Sequence, residues 1–266
     1  MTASRLGLRT VALGYLGAVL VVPVAVVLYK TFEPGLAAVW ASITTPAAIH
    51  AFYLTVLVAA IAVPLNTVLG IMAALLLVRG RIRGKAVIEG LIDLPFAVSP
   101  VVVGLALILL YGRQGWFGDE LAEAGVRVIF SLPGIILATI FVSLPFVVRE
   151  VAPVLREVGT DQEQAAQTLG ATAAQTFRRI TLPAIRWGVA YGVVLSTARA
   201  LGEFGAVSVV SGKVSGETET MTLLVEKRFT NFDLAGAYAA STLLALLALA
   251  TLLAMTLADR RKKESV

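Results

Sequence analysis

Residues 160–183 read TDQEQAAQTLGATAAQTFRRITLP. Thr160 followed by Glu163 has the form of a capping box, and Asp161 adds negative charge where a helix N-terminus favours it. Ala165, Ala166 and Leu169 then share one face of a short helix by their i, i+3, i+4 spacing. Gly170 stands where a helix is stopped by a residue free to take positive φ. Thr172 followed by Gln175 offers a second capping box, and the next short helix carries Phe177 and Ile180 on one face with Arg178 and Arg179 offset. Pro183, which lacks an N–H and crowds the preceding turn, is expected to end it. The stretch predicts a helix, a glycine turn and a second helix, with small alanines on the outer face. Its meaning depends on the rest of the chain.

That rest is apolar. The chain has 266 residues, 58% hydrophobic and 15% charged, where soluble domains carry about 25% charged residues. Mean hydropathy is +0.87. The apolar residues gather in six runs, about 10–29, 52–78, 91–112, 128–148, 187–211 and 234–258. Each is long enough to cross a hydrocarbon core at about 1.5 Å per residue. Lipid offers no partner to backbone N–H and C=O groups, so the runs must be helices. The expected fold is an all-α polytopic membrane protein, one transmembrane domain over 1–266. Arg5 and Arg9 precede the first run as in a signal peptide, but that run exceeds an h-region and no A-x-A-like site follows it, so it is read as a retained span.

Composition excludes several function classes. The chain has no Cys and a single His, His50, which leaves neither a thiolate metal site nor a histidine relay. Segments 1–10, 79–90, 149–186 and 259–266 hold 15 of the 22 Lys and Arg, while 30–51, 113–127 and 212–233 hold 6. By the positive-inside rule both termini and the loop 149–186 face the cytoplasm. The net charge of +5 then reflects topology and anionic headgroups rather than a nucleic-acid partner, which would need a basic face on a soluble domain. The outward loop 113–127, RQGWFGDELAEAGVR, fits either a docking surface for a soluble partner or an interfacial aromatic anchor. No G-x-x-x-x-G-K-[ST] loop is present, since Gly212-Lys213 is followed by Val214 and Gly84-Lys85 by Ala86.

The elbow resembles the E-A-A-x3-G-x9-I-x-L-P signature of the permease subunits of binding-protein-dependent ABC importers. Here it reads Gln164-Ala165-Ala166, then Gly170, then Ile180-Thr181-Leu182-Pro183. Gln164 departs from the family's glutamate, although Glu163 is adjacent. The resemblance implies a type I (MetI-like) permease of six spans, with a cytoplasmic coupling helix between spans four and five. In that family the elbow docks into a groove of a separate ATPase present in two copies. ATP and Mg belong to that partner, and this chain binds no cofactor. A second permease subunit, of a different chain, and an extracytoplasmic binding protein complete the assembly, in the bacterial inner membrane.

The fifth run contains STARALGEFGAVSVVSG, residues 196–212. Arg199 lies 12 residues past Trp187, about 18 Å into the membrane at helical rise. A charge there costs roughly 2.5–3.5 kcal/mol on insertion scales, so the side chain should face protein or water. Glu203, at i+4, is its nearest partner, in the weaker order for a helix ion pair. Two readings stay open: a polar pathway offering an anion a transient counter-charge, or a buried pair that fixes helix register. The segment from Arg199 to Ala206 is similar to R-x-L-G-E-F-G-A of permeases for sulfate, thiosulfate, molybdate and tungstate. LPFAVSPVVVGLAL (94–107) and SLPFVVRE (143–150) resemble the same group. The N-terminal span and the loop 30–51 resemble sulfate permeases of the W type more than molybdate ones. The resemblance therefore implies an extracytoplasmic sulfate-binding protein and import of sulfate or thiosulfate; molybdate/tungstate permease and ion-coupled anion transporter are the alternatives. Asp93 and Glu203 have no nucleophile or base beside them in sequence, which speaks against a membrane enzyme. Pro64, Pro95, Pro100, Pro133 and Pro145 fall in or beside spans two to four, where proline frees a carbonyl and permits a kink.

Overall fold

The computed structural model describes residues 3–263, and the surroundings of side chains over 10–253. Met1, Thr2, residues 264–266 and the side chains of 3–9 and 254–263 lie outside the described residues, and with them much of what the expected cytoplasmic termini rest on. The described chain is helical, with no strand.

The N-terminal column comprises α1 (Ala3–Leu16), a π-turn (Gly17–Val21) and α2 (Val22–Phe32). Its segment Thr10–Phe32 is long and apolar enough to span a membrane, and its apolar side chains from Val11 to Tyr29, except the half-buried Val27, are exposed, as on a lipid-facing helix. Thr31 ties it to the C-terminal helix, with Oγ1 2.7 Å from Thr242 Oγ1 and donating to the Tyr238 carbonyl at 3.1 Å. After α3 (Leu36–Ile43), Thr45 caps α4 (Pro46–Arg79) by accepting from the Ala48 N–H at 3.3 Å. Pro64 lies inside α4, which continues through it.

The expected run 91–112 is two helices rather than one. Helix α5 (Lys85–Ala97) and α6 (Pro100–Tyr111) meet at 114°. Val98 and Ser99 are extended, with ψ of 138° and 135°. A residue before proline is pushed out of the α region, which accounts for the break at Ser99-Pro100. The short α7 (Gly118–Glu123) follows, then α8 (Leu132–Val158), which runs through Pro145 and Pro153.

Helix α8 is the centre of the bundle, packed on α4 and on α11 (Leu182–Leu201). Val147 is fully buried where the three meet. A Cβ on Gly70 of α4 would fall 2.6 Å from Val147 Cβ, and one on Gly192 of α11 2.9 Å from Val147 Cα. Small residues at such crossings let helix backbones approach within membranes, where close packing replaces the hydrophobic drive. One turn away on α4, Asn66 Nδ2 donates to Ser143 Oγ at 2.7 Å. Along the other side of α8, Arg149 pairs with Asp93 at 3.0 Å and Arg156 with Glu89 at 2.9 Å, fastening α5.

The remaining elements are α9 (Asp161–Thr168), α10 (Ala173–Thr176), a π-turn (Phe177–Thr181), α12 (Val207–Val210), α13 (Met221–Thr230) and α14 (Leu234–Lys263). Four helical segments among the described residues have membrane length and apolarity: Thr10–Phe32, Pro46–Arg79, Leu132–Val158 and Leu234–Leu253; the bent pair α5–α6 passes the same test when taken together. Helix α11 carries Arg186, Arg199, Ser196 and Thr197 and falls short of that apolarity. At 20 residues it is still about 30 Å long. The expected run 187–211 stops at Leu201, because the chain leaves the helix at Gly202.

Candidate coupling and translocation site

The elbow is built by its own local chemistry. Helix α9 ends at Thr168 and is capped by Leu169, and Gly170 takes φ of +85°. The Ala171 N–H donates to the Ala166 carbonyl at 3.0 Å and the Gly170 N–H to Gln167 at 3.0 Å. That pair of bonds is a Schellman turn, which requires a left-handed residue at the glycine position. Thr172 then opens α10 with a complete capping box: Oγ1 accepts from the Gln175 N–H at 3.3 Å, and Gln175 Oε1 accepts from the Thr172 N–H at 2.8 Å. Gln164 and Ala165 are exposed, Ala166 is half-buried, and Leu169 is 89% exposed at the tip.

Two local expectations are corrected. Thr160 and Glu163 do not form a capping box, because the Glu163 carboxylate is drawn elsewhere. Its Oε2 accepts from Arg79 Nε at 3.0 Å and its Oε1 from Thr181 Oγ1 at 2.8 Å. Gln164 Nε2 donates to Thr160 Oγ1 instead, at 2.9 Å. Nor does Pro183 end a helix. Helix α10, the π-turn and α11 follow one another without a gap, and Pro183 falls in the first turn of α11. The π-turn shifts the hydrogen-bond register just ahead of it, with the Leu182 N–H reaching the Phe177 carbonyl, so the missing N–H disrupts less of the ladder. Ile180 is half-buried, and Leu182 and Pro183 are exposed, at the base of this column rather than at the tip.

At the far end of the column Arg199 Nη2 lies 2.7 Å from Glu203 Oε2. Glu203 is nearly fully buried. Its Oε1 accepts from the Ala206 N–H at 2.8 Å, and its carbonyl accepts from Thr222 Oγ1 at 2.8 Å. The non-helical turn 202–206 meets the other broken segment, since a Cβ on Gly205 would sit 2.7 Å from Pro100 Cβ. A hollow of about 530 Å³ opens beside the same helix end, lined by Leu201, Phe204, Thr222 and Phe229 among others. Arg79 and Thr181 were missed at the level of sequence; no spacing could connect Arg79 to a carboxylate 84 residues onward.

A family model for the inner membrane component of binding-protein-dependent transport systems matches residues 66–264. The chain belongs to that family. As such an inner membrane component it is a membrane-spanning transport subunit, not an enzyme. It is 48% identical over 256 residues to a "Sulfate transport system permease protein CysW" of Synechococcus elongatus, covering 96% of this chain and 90% of that one. With a "Sulfate transport system permease protein CysT" of Salmonella typhimurium it shares 40% identity over 228 residues, 85% of this chain and 82% of the other. Its fold matches a solved bacterial alginate ABC transporter in complex with an alginate pentasaccharide-bound periplasmic protein. The TM-score is 0.78 at 19% identity, over 96% of this chain and 93% of that one.

Proposed function

We propose that this chain is the membrane-spanning permease subunit of an ATP-driven importer for sulfate or thiosulfate. The observation that carries the reading is the 48% identity to a sulfate transport permease across 96% of the chain. The likeness to both CysW and CysT proteins supports a partnership with a second, different permease. Two copies of a separate ATPase, which would hold ATP and Mg, and an extracytoplasmic sulfate-binding protein complete the complex. Both termini and the elbow face the cytoplasm.

Gln164, Ala165, Ala166 and Gly170, with the exposed Leu169, form the surface that enters the ATPase, and Ile180, Leu182 and Pro183 form the base that carries its motion. Closure of the ATPase dimer draws the tip inward. Helical residues run without a gap from Ala173 to Leu201, a lever of about 43 Å at helical rise. Arg199 lies two residues from its end, so displacement at the tip is delivered to the polar turn at 202–206. The paired permeases rock, and that turn is exposed first to the binding protein and then to the cytoplasm. Arg199 offers the passing anion a counter-charge, and Glu203 beside it keeps the attraction weak, as conduction requires.

The test is uptake of radiolabelled sulfate in a strain lacking the chain and complemented with it, with thiosulfate and molybdate as competitors. Restored uptake that thiosulfate competes and a modest excess of molybdate does not is the expected result. Dependence of molybdate or tungstate uptake, but not sulfate uptake, would assign the other anion. Uptake that survives ATP depletion and follows an ion gradient would overturn the importer reading altogether.

A further inference from the structure

Helix α9 is eight residues long and is joined to the bundle at each end through a glycine of positive φ, Gly159 at +69° and Gly170 at +85°. Its outer side chains are exposed. A push on so short a helix reaches the spans behind it only if the helix is held firmly to them. A third attachment is present. Glu163, in the first turn of α9, receives Arg79 from the last turn of α4 and Thr181 from the π-turn below α11. Arg79 also donates through Nη2 to the carbonyl of Gly159, the first of the two joints. The Arg79 and Glu163 side chains are 19% and 16% exposed, so water competes poorly for either contact.

We propose that Glu163 is a positioning residue for transport, clamping the elbow through Arg79 and Thr181 so that it moves as one body with α4 and α11. The proposal rests on reading the elbow as the coupling element. It also separates two roles. The exposed Gln164 stands where it can meet the ATPase, whereas the carboxylate one residue earlier is turned inward and holds the elbow to its own subunit. With its carboxylate turned toward Arg79 and Thr181, Glu163 makes no capping-box contact with Thr160. A push on α9 is then divided between two spans, α4 and α11, that both pack against Val147 of α8.

The experiment measures sulfate taken up per ATP hydrolysed, in vesicles reconstituted with this chain, the second permease, the ATPase and the binding protein. Glu163→Ala is expected to lower that ratio by about fivefold or more, and the reciprocal pair Arg79→Glu with Glu163→Arg to recover at least about half of it. Glu163→Gln keeps an acceptor for Thr181 but drops the ionic contact, and is expected to lower the ratio in a complex that assembles normally. A native ratio in Glu163→Gln, whether Glu163→Ala assembles with a native ratio or fails to assemble, overturns the proposal and leaves the residue a stabilising role alone. Native vesicles whose uptake continues without ATP would instead overturn the coupling reading itself, and the clamp with it.

Discussion

Arg199 and Glu203 form an ion pair across the end of a helix: the guanidinium is on the last turn of α11, the carboxylate is beyond Gly202, and Nη2 and Oε2 are 2.7 Å apart. The i, i+4 spacing suggested a pair on a continuous span. The helix instead stops between the two residues, and Glu203 uses its second oxygen on the Ala206 N–H. The pair therefore holds a turn of irregular backbone, which at membrane depth is tolerated where it is buried in protein or lines a cavity.

Replacing Arg199 by Gln leaves a polar side chain and removes the charge. Sulfate uptake is expected to fall by about tenfold or more, with the complex present in the membrane at near-native amount. Immunoblotting alongside uptake separates the readings: reduced abundance with unchanged uptake per complex would make the pair purely structural.

Leu169 exposes 89% of its surface at the elbow tip and makes little use of it within this subunit. Leu169→Asp places a charge where an apolar contact with the ATPase is expected. Co-purification of the ATPase should drop while the level of this chain in the membrane holds. Full recovery of the ATPase with the variant would remove the tip from the docking surface.

Gly192 allows α11 to lie against Val147 of α8. Gly192→Leu cannot be accommodated without separating the helices, and overpacking of this kind typically costs about 1–3 kcal/mol or more. Lower abundance and a lower melting temperature in detergent are expected. Transport per surviving complex is the control that distinguishes loss of packing from loss of a pathway residue.

Much of this arrangement is legible in the residues. The apolar lengths around α4, α8 and α14 announce membrane helices, and Gly170 with Thr172 and Gln175 announces the turn and its cap. What escapes depends on distant partners. Glu163 reads as a capping residue because its neighbours suit one, and only the fold brings Arg79 and Thr181 to it. Pro100 permits a kink, yet the residues around it set neither its size, 114°, nor the packing of Pro100 against Gly205 in the turn at 202–206. Pro183 reads as a terminator because a π-turn before it cannot be foreseen from local propensity. The meeting of the two broken segments at Gly205 and Pro100 is likewise a tertiary fact.

The most direct test of the central claim is sulfate uptake in cells lacking this chain, complemented by the native protein or by Gly170→Val. A Cβ at position 170 would meet nothing within 4 Å, so the variant should fold and insert. Its φ of +85° is a conformation that valine disfavours by roughly 1–2 kcal/mol, so the Schellman turn should open and the elbow lose its shape. The account expects native protein to restore uptake and Gly170→Val, at equal abundance, to leave it at background. Normal uptake by Gly170→Val would contradict the claim that this turn couples the ATPase to transport.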